Sequence, residues 1–194
     1  MVPEVQTVVS QIEGERGRFE RFCTSLTDEE LRREVPESTW QVKDFISHLA
    51  TIDGPVAGWF VAIQSGNAGG PAGRTGEAWN VDRYNDGAVA KRRDRSVEEI
   101  LAEARAERAA MIEVLGRFSE EQVSGTIRFG GDSKRPPSDL QLLRYLQGWA
   151  RHDIIHIADM LKALPERRND AVITEWLAEP GVEELIGFYQ RAMR

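Results

Sequence analysis

Apolar side chains recur along this chain every three or four positions, the spacing of a helix face rather than the alternation of a strand. Over residues 4–26 the positions Val5, Val8, Val9, Ile12, Phe19, Phe22 and Leu26 give one such face, weakened locally by Gly14 and Gly17. Thr27-Asp-Glu-Glu-Leu-Arg-Arg33 predicts a further short turn of helix before Pro36. A second long helix is predicted from Ser38-Thr-Trp-Gln41, which has capping-box spacing, through Val42, Phe45, Ile46, His48, Leu49 and Ile52. Gly54-Pro55 should kink or loosen it before it resumes through Trp59, Phe60 and Ile63. A third starts at Ser96-Val-Glu-Glu99, again a capping box, and carries Ile100, Leu101, Met111, Ile112 and Leu115. The fourth is predicted from Ser138-Asp-Leu-Gln141 to just before Pro165. Its apolar residues lie on nearly every side, which suits a central, well-covered helix. Two shorter helical pieces, 171–178 and 182–193, flank Pro180-Gly181.

This pattern predicts an all-α protein, a four-helix bundle with short C-terminal helices. With short loops alone such a bundle must alternate up and down. Here the second and third helices are separated by residues 65–95, long enough for a crossover that lets those two run parallel. The glycine-rich stretch Ser65-Gly-Asn-Ala-Gly-Gly-Pro-Ala-Gly-Arg-Thr-Gly76 has no preceding strand and no Gly-Lys-Ser/Thr, so it is not a phosphate loop. Residues 79–85 differ from it: Trp79, Asn80, Tyr84 and Asn85 supply aromatic and amide groups suited to a cover over a pocket. Thr126-Ile-Arg-Phe129, before Gly130-Gly131, is compatible with a short extended segment.

Composition narrows the function. A chain of 194 residues with 41% hydrophobic and 29% charged content fits one globular domain, 1–194, with a real core. No apolar run approaches the ~20 residues of a membrane span, and no secretory leader pattern opens the chain. Cys23 is the single cysteine, so no internal disulfide forms and a reducing cytoplasm fits best. Beside Phe19 and Phe22 it reads as an inert buried thiol. A net charge of −7 argues against a nucleic-acid binder. The one basic cluster, Lys91-Arg92-Arg93-Asp94-Arg95, reads as a solvated loop before the third helix.

The chemistry rests on three histidines. His152 and His156 are four residues apart, so a helix stacks them on one face with Tyr145, Trp149 and Met160. His48 lies on the second long helix. If that helix faces the fourth, the chain's whole histidine content becomes one three-nitrogen site with an open coordination position, the pattern of a catalytic rather than a structural zinc site. The alternative is three unrelated imidazoles, some bonded inside the bundle and some on its surface. Asp44, one turn before His48, is a candidate to orient that ring; Asp153 is a less obvious partner because adjacent helical residues diverge. Tyr145 and Trp149 are candidate pocket residues with the 79–85 set, whereas Arg144 and Arg151 read better as bundle or surface groups. A peptidase reading of His152-Asp-Ile-Ile-His156 fails because the shortened carboxylate no longer reaches an attacking water. A di-iron bundle would need two Glu-x-x-His pairs, which the chain lacks.

Three stretches, Trp40-Gln-Val-Lys-Asp-Phe-Ile-Ser-His-Leu49, Asn80-Val-Asp-Arg-Tyr-Asn85 leading into Ser96-Val-Glu-Glu-Ile-Leu101, and His152-Asp-Ile-Ile-His-Ile157, resemble the DinB-like family of four-helix metalloproteins. That family includes the amino-terminal domain of mycothiol-dependent maleylpyruvate isomerase and the bacillithiol transferases. The resemblance implies an up-down-down-up bundle, a divalent metal such as zinc or nickel on His48, His152 and His156, and a homodimer. It also implies activation of a low-molecular-weight thiol. The expected function is therefore a metal-dependent thiol S-transferase or hydrolase acting on a small molecule, with neither nucleic acid nor membrane as partner. The competing expectation is a non-catalytic dimeric stress protein that binds a metal or sequesters a ligand.

Overall fold

The computed structural model of the chain describes residues 1–66 and 80–192. Four long helical rods form a bundle: α1 (Pro3–Ser25); α3 (Val42–Thr51) continued by α4 (Asp53–Gln64); α6 (Val97–Leu115); and α8 (Leu142–Ala150) continued by α9 (His152–Ala163). Shorter pieces connect them: α2 (Asp28–Leu31), α5 (Val81–Ala90) and α7 (Glu120–Ser124), with a two-stranded hairpin of β1 (Thr126–Phe129) and β2 (Ser138–Gln141). A 3-10 turn (Pro165–Asn169), α10 (Ala171–Leu177) and α11 (Val182–Ala192) follow.

Side-chain bonds between rods fix their directions. Lys43 Nζ donates to Arg93 O, Arg108 Nε to Asp53 Oδ2, and Gln64 Nε2 to Val114 O, so α3–α4 and α6 run parallel. Arg16 bonds Asp153 and Arg167 bonds Ser25 O, so α1 and α9 also share a direction. Arg105 meets Glu20, and Arg108 meets Asp153, which sets α1 against α6. The order is up-down-down-up, as the long crossover permits. The central glycine-rich part of that crossover and Trp79 lie outside the described residues.

Several local signals were overridden. Ser38 does not cap α3; its hydroxyl accepts from Trp40 N, and the helix begins after Gln41, whose N–H donates to Asp44 Oδ2 at 3.0 Å. Ser138–Gln141 is not the first turn of the fourth helix but strand β2, paired antiparallel with β1 in the register Ile127↔Leu140. Cross-strand pairing supplies those backbone bonds, and the helix starts at Leu142. Gly131, at φ +85°, turns the hairpin where an added Cβ would stand 3.0 Å from Arg135 O. The second rod breaks at Ile52, just before Gly54-Pro55, and the fourth breaks at Arg151. Contrary to the sequence expectation, Val42–Gln64 as one stretch is long and apolar enough to cross a bilayer by length and composition. Most of it is buried in the bundle, as a core helix is.

The core has two apolar layers. One gathers Phe19, Phe22, Cys23, Ile46, Leu49, Leu101, Ile157 and Leu161; the other gathers Val5, Ile12, Phe60, Met111, Leu115, Leu142 and Leu146. Between them lies a polar layer to which each rod contributes one charge: Arg16, Asp53, Arg108 and Asp153, all at most 5% exposed. Arg108 reaches Asp53 at 2.5 Å and Asp153 at 3.3 Å, while Arg16 reaches Asp153 at 3.2 and 3.3 Å and Asp53 at 3.6 Å. Two positive and two negative charges balance, which is the condition for tolerating ions away from water. Both rod breaks lie at this level, Ile52 beside Asp53 and Arg151 two residues before Asp153.

Candidate metal centre

His48 sits near the end of α3, and His152 opens α9 immediately after the break at Arg151, with His156 one turn further on. The rods bring the three rings together: centroids are 4.8 Å apart for His48–His156, 4.7 Å for His152–His156 and 5.8 Å for His48–His152. One ligand nitrogen from each lies within 4.8 Å of the others. Two bonds of about 2.1 Å to a shared ion span up to ~4.2 Å, so small ring rotations close the set. All three are buried, at 4%, 9% and 6% exposure for His48, His152 and His156.

The donor chemistry suits a transition metal. His48 Nδ1, His152 Nδ1 and His156 Nε2 are buried without a hydrogen-bond partner. Such orphaned atoms are costly unless something coordinates or bonds them. Burial pushes His48 and His152 well below the usual imidazole range; neighbouring His156 adds to the shift, and the Asn85 side chain opposes it at His48. Those two rings are therefore neutral at pH 7 and keep lone pairs for a cation.

Around the rings the wall is aromatic. Trp149 stacks on His152 at 4.5 Å and 13°, Trp40 leans on His48 at 5.3 Å, and Phe45 lies 5.7 Å from His156. Tyr145 stacks at 6.5 Å on Trp149. Asn85 projects from α5, which is tied to the segment just before α3 by a bond from Trp40 Nε1 to Asp86 Oδ1 of 2.9 Å. Thus His48, His152, His156, Asn85, Tyr145 and Trp149 are neighbours. Asn80 instead caps α5, accepting from Arg83 N at 2.8 Å. Tyr84 lines a cleft of about 300 Å³ with Thr51, Gly54, Arg92 and Glu107, a lining that includes no histidine. Arg144 is exposed, and Arg151 donates to Pro180 O.

The carboxylates divide differently from the sequence expectation. Asp44 closes the N-terminus of α3 and lies 3.8 Å from Arg93; its contacts are there rather than with His48. Asp159 is the acid beside the cluster, with Oδ2 3.3 Å from His156 Nδ1 and Oδ1 2.8 Å from Lys162 Nζ. Burial alone would raise its carboxyl, but His156 and Lys162 override that and hold it below the usual range. Its spacing, three residues after a candidate ligand, is the signal that sequence reading passed over. Tyr189 of α11 was also missed. Its ring meets His156 edge-on at 5.7 Å.

The sequence model of the DinB superfamily matches residues 11–160, which contain all three histidines. Among solved structures the chain resembles mycothiol-dependent maleylpyruvate isomerase and a variant of that enzyme with one histidine replaced by alanine. Each has a TM-score of 0.61 and 13% identity, over 91% of this chain and 68% of the other. At that identity the likeness is one of fold. No curated protein matches the chain. The matched span takes in most of each of the four rods and all three histidines; the chain belongs to the DinB superfamily.

Proposed function

We propose that the protein is a metal-dependent enzyme for a small-molecule thiol S-transfer or hydrolysis, with His48, His152 and His156 holding one divalent transition metal such as zinc or nickel. The observation that carries this reading is the convergence of three buried imidazoles from two rods, with one ligand nitrogen of each within 4.8 Å of the others. Three nitrogen donors and, among the described residues, no fourth ligand in the cluster suit a site open to a further ligand. A metal bound there supplies Lewis acidity, favouring the deprotonated form of a thiol or water that joins it. The chain's own part is to fix the donors. Asp159 holds His156 Nδ1, leaving Nε2 for the ion, and the ring stack of Trp149 sets the plane of His152. The aromatic wall excludes bulk water from the rings. The isomerase likeness favours a thiol as co-substrate. A cytoplasmic location and a homodimer complete the proposal, with no role for nucleic acid.

A panel of low-molecular-weight thiols with electrophilic acceptors, assayed with zinc or nickel, tests it. Turnover with at least one pair, lost in His48→Ala, is the expected result. Tight binding of panel members without turnover would replace the enzyme with a sequestering protein.

A further inference from the structure

Tyr145 and Tyr189 come from different helices, α8 and α11, yet flank the same histidine cluster. Tyr189 meets His156 edge-on, and Tyr145 stacks at 6.5 Å on Trp149, which itself lies flat on His152. Both tyrosines feel the charges of Asp132 and Arg135 in the hairpin loop, so one rim serves both phenols. That rim is anchored: Val81 N donates to Ser133 Oγ at 3.2 Å, and Lys134 lies 2.8 Å from Asp82, joining the loop to the start of α5. Its charges are spent on each other, with Arg135 Nε and Nη2 at 2.9 and 2.5 Å from Asp132 Oδ2.

Both tyrosines are half-buried, and among the described residues neither hydroxyl has a hydrogen-bond partner. The buried indole Nε1 of Trp149 also lacks one. A phenol is neutral at pH 7 and an indole N–H only donates, so this wall offers three neutral donors on aromatic faces. The loop cations Lys134 and Arg135 are already paired with Asp82 and Asp132, and the flat rings favour a flat guest.

We propose that Tyr145, Tyr189 and Trp149 form the recognition face for a planar, uncharged small molecule bearing a hydrogen-bond-accepting carbonyl oxygen, held beside the three histidines. The proposal deepens the enzyme reading by naming its substrate class, and it rests on that reading only for what happens to the guest. The two hydroxyls fix the oxygen, and the ring faces hold the body of the guest.

Calorimetric titration of zinc-loaded protein with benzylideneacetone, β-methylstyrene and cinnamate tests the claim, alongside metal analysis of every variant. The first has the carbonyl, the second lacks it, and the third replaces it with a charged carboxylate. Benzylideneacetone should bind tightest, and Tyr145→Phe and Tyr189→Phe should each weaken it about 5–10-fold, the worth of one neutral hydrogen bond. Binding of β-methylstyrene should be unchanged by either. No binding of benzylideneacetone, equal binding in both phenylalanine variants, or tighter binding of cinnamate overturns the proposal. Metal content separates the two readings. Tyrosine-dependent binding by a protein that takes up no metal sinks the metal centre and leaves the recognition face standing. Metal uptake without tyrosine dependence does the reverse.

Discussion

The Arg16 guanidinium lies 3.3 Å from Asp153 Oδ1, one residue beyond His152, and the same Nη2 reaches the carbonyl of Leu49, one residue beyond His48. One side chain of α1 therefore ties together the two rods that carry the candidate ligands. The buried charges are a scaffold for the site as well as a break in the core.

Removing one member of a balanced buried set leaves its partner uncompensated. Arg16→Leu should lower the unfolding free energy by about 3–5 kcal/mol, because Asp153 then stays buried with only Arg108 beside it. Urea denaturation measures this. A loss below about 1 kcal/mol would mean that the layer is hydrated, contrary to its exposure of at most 5%.

Asp159→Asn should act on the metal and not on the fold. The carboxylate holds His156 Nδ1 from 3.3 Å, and losing such a partner typically costs 10–100-fold in metal affinity. Competition against a chelator gives the affinity, and thermal unfolding of the metal-free protein should be nearly unchanged. Asp44→Ala, which removes the carboxylate on the helix terminus, should do the opposite and cost about 1 kcal/mol of stability with little change in affinity.

Glu15 gives a pH dependence with a definite sign. Burial, with Glu179 and Asp153 nearby, raises its carboxyl from 4.5 to about 7 despite the bond from Trp176 Nε1. The folded state thus binds a proton that the unfolded chain releases above pH 4.5. The stability linked to this group is complete below pH 4.5 and is lost as pH rises through 7. Glu15→Gln keeps an oxygen for the indole and removes the titration, so its Tm advantage over the native chain should grow from pH 5 to pH 8. A difference flat across that range would contradict the assignment.

Much of this was legible in the residues. Helical periodicity and the Ser96–Glu99 capping box located the rods, and the long second crossover anticipated the parallel pair. The His152–His156 spacing placed two rings on one face, and His48 joined them because the second rod packs beside the fourth. Local signals failed where a longer-range partner competed. The Ser138–Gln141 spacing imitates a helix start, but β1 supplies a ladder for those residues. Asp44 has the spacing to serve His48, yet the free amide of Gln41 is nearer and claims its carboxylate. Arg16, Asp53, Arg108 and Asp153 look like surface charges in the sequence. Only tertiary packing, which pairs residues as far apart as Arg16 and Asp153, makes them a layer. Tyr189 had no signal at all, since its role depends on how α11 folds back onto α9.

The most direct test of the central claim is elemental analysis of protein purified without a metal-affinity tag, for the native chain and His152→Ala. Circular dichroism would establish that the variant keeps its helices. The three-histidine centre predicts about one equivalent of a single transition metal per native chain and under about a tenth in the variant. Less than a tenth of an equivalent in both, even after incubation with zinc or nickel, would contradict it.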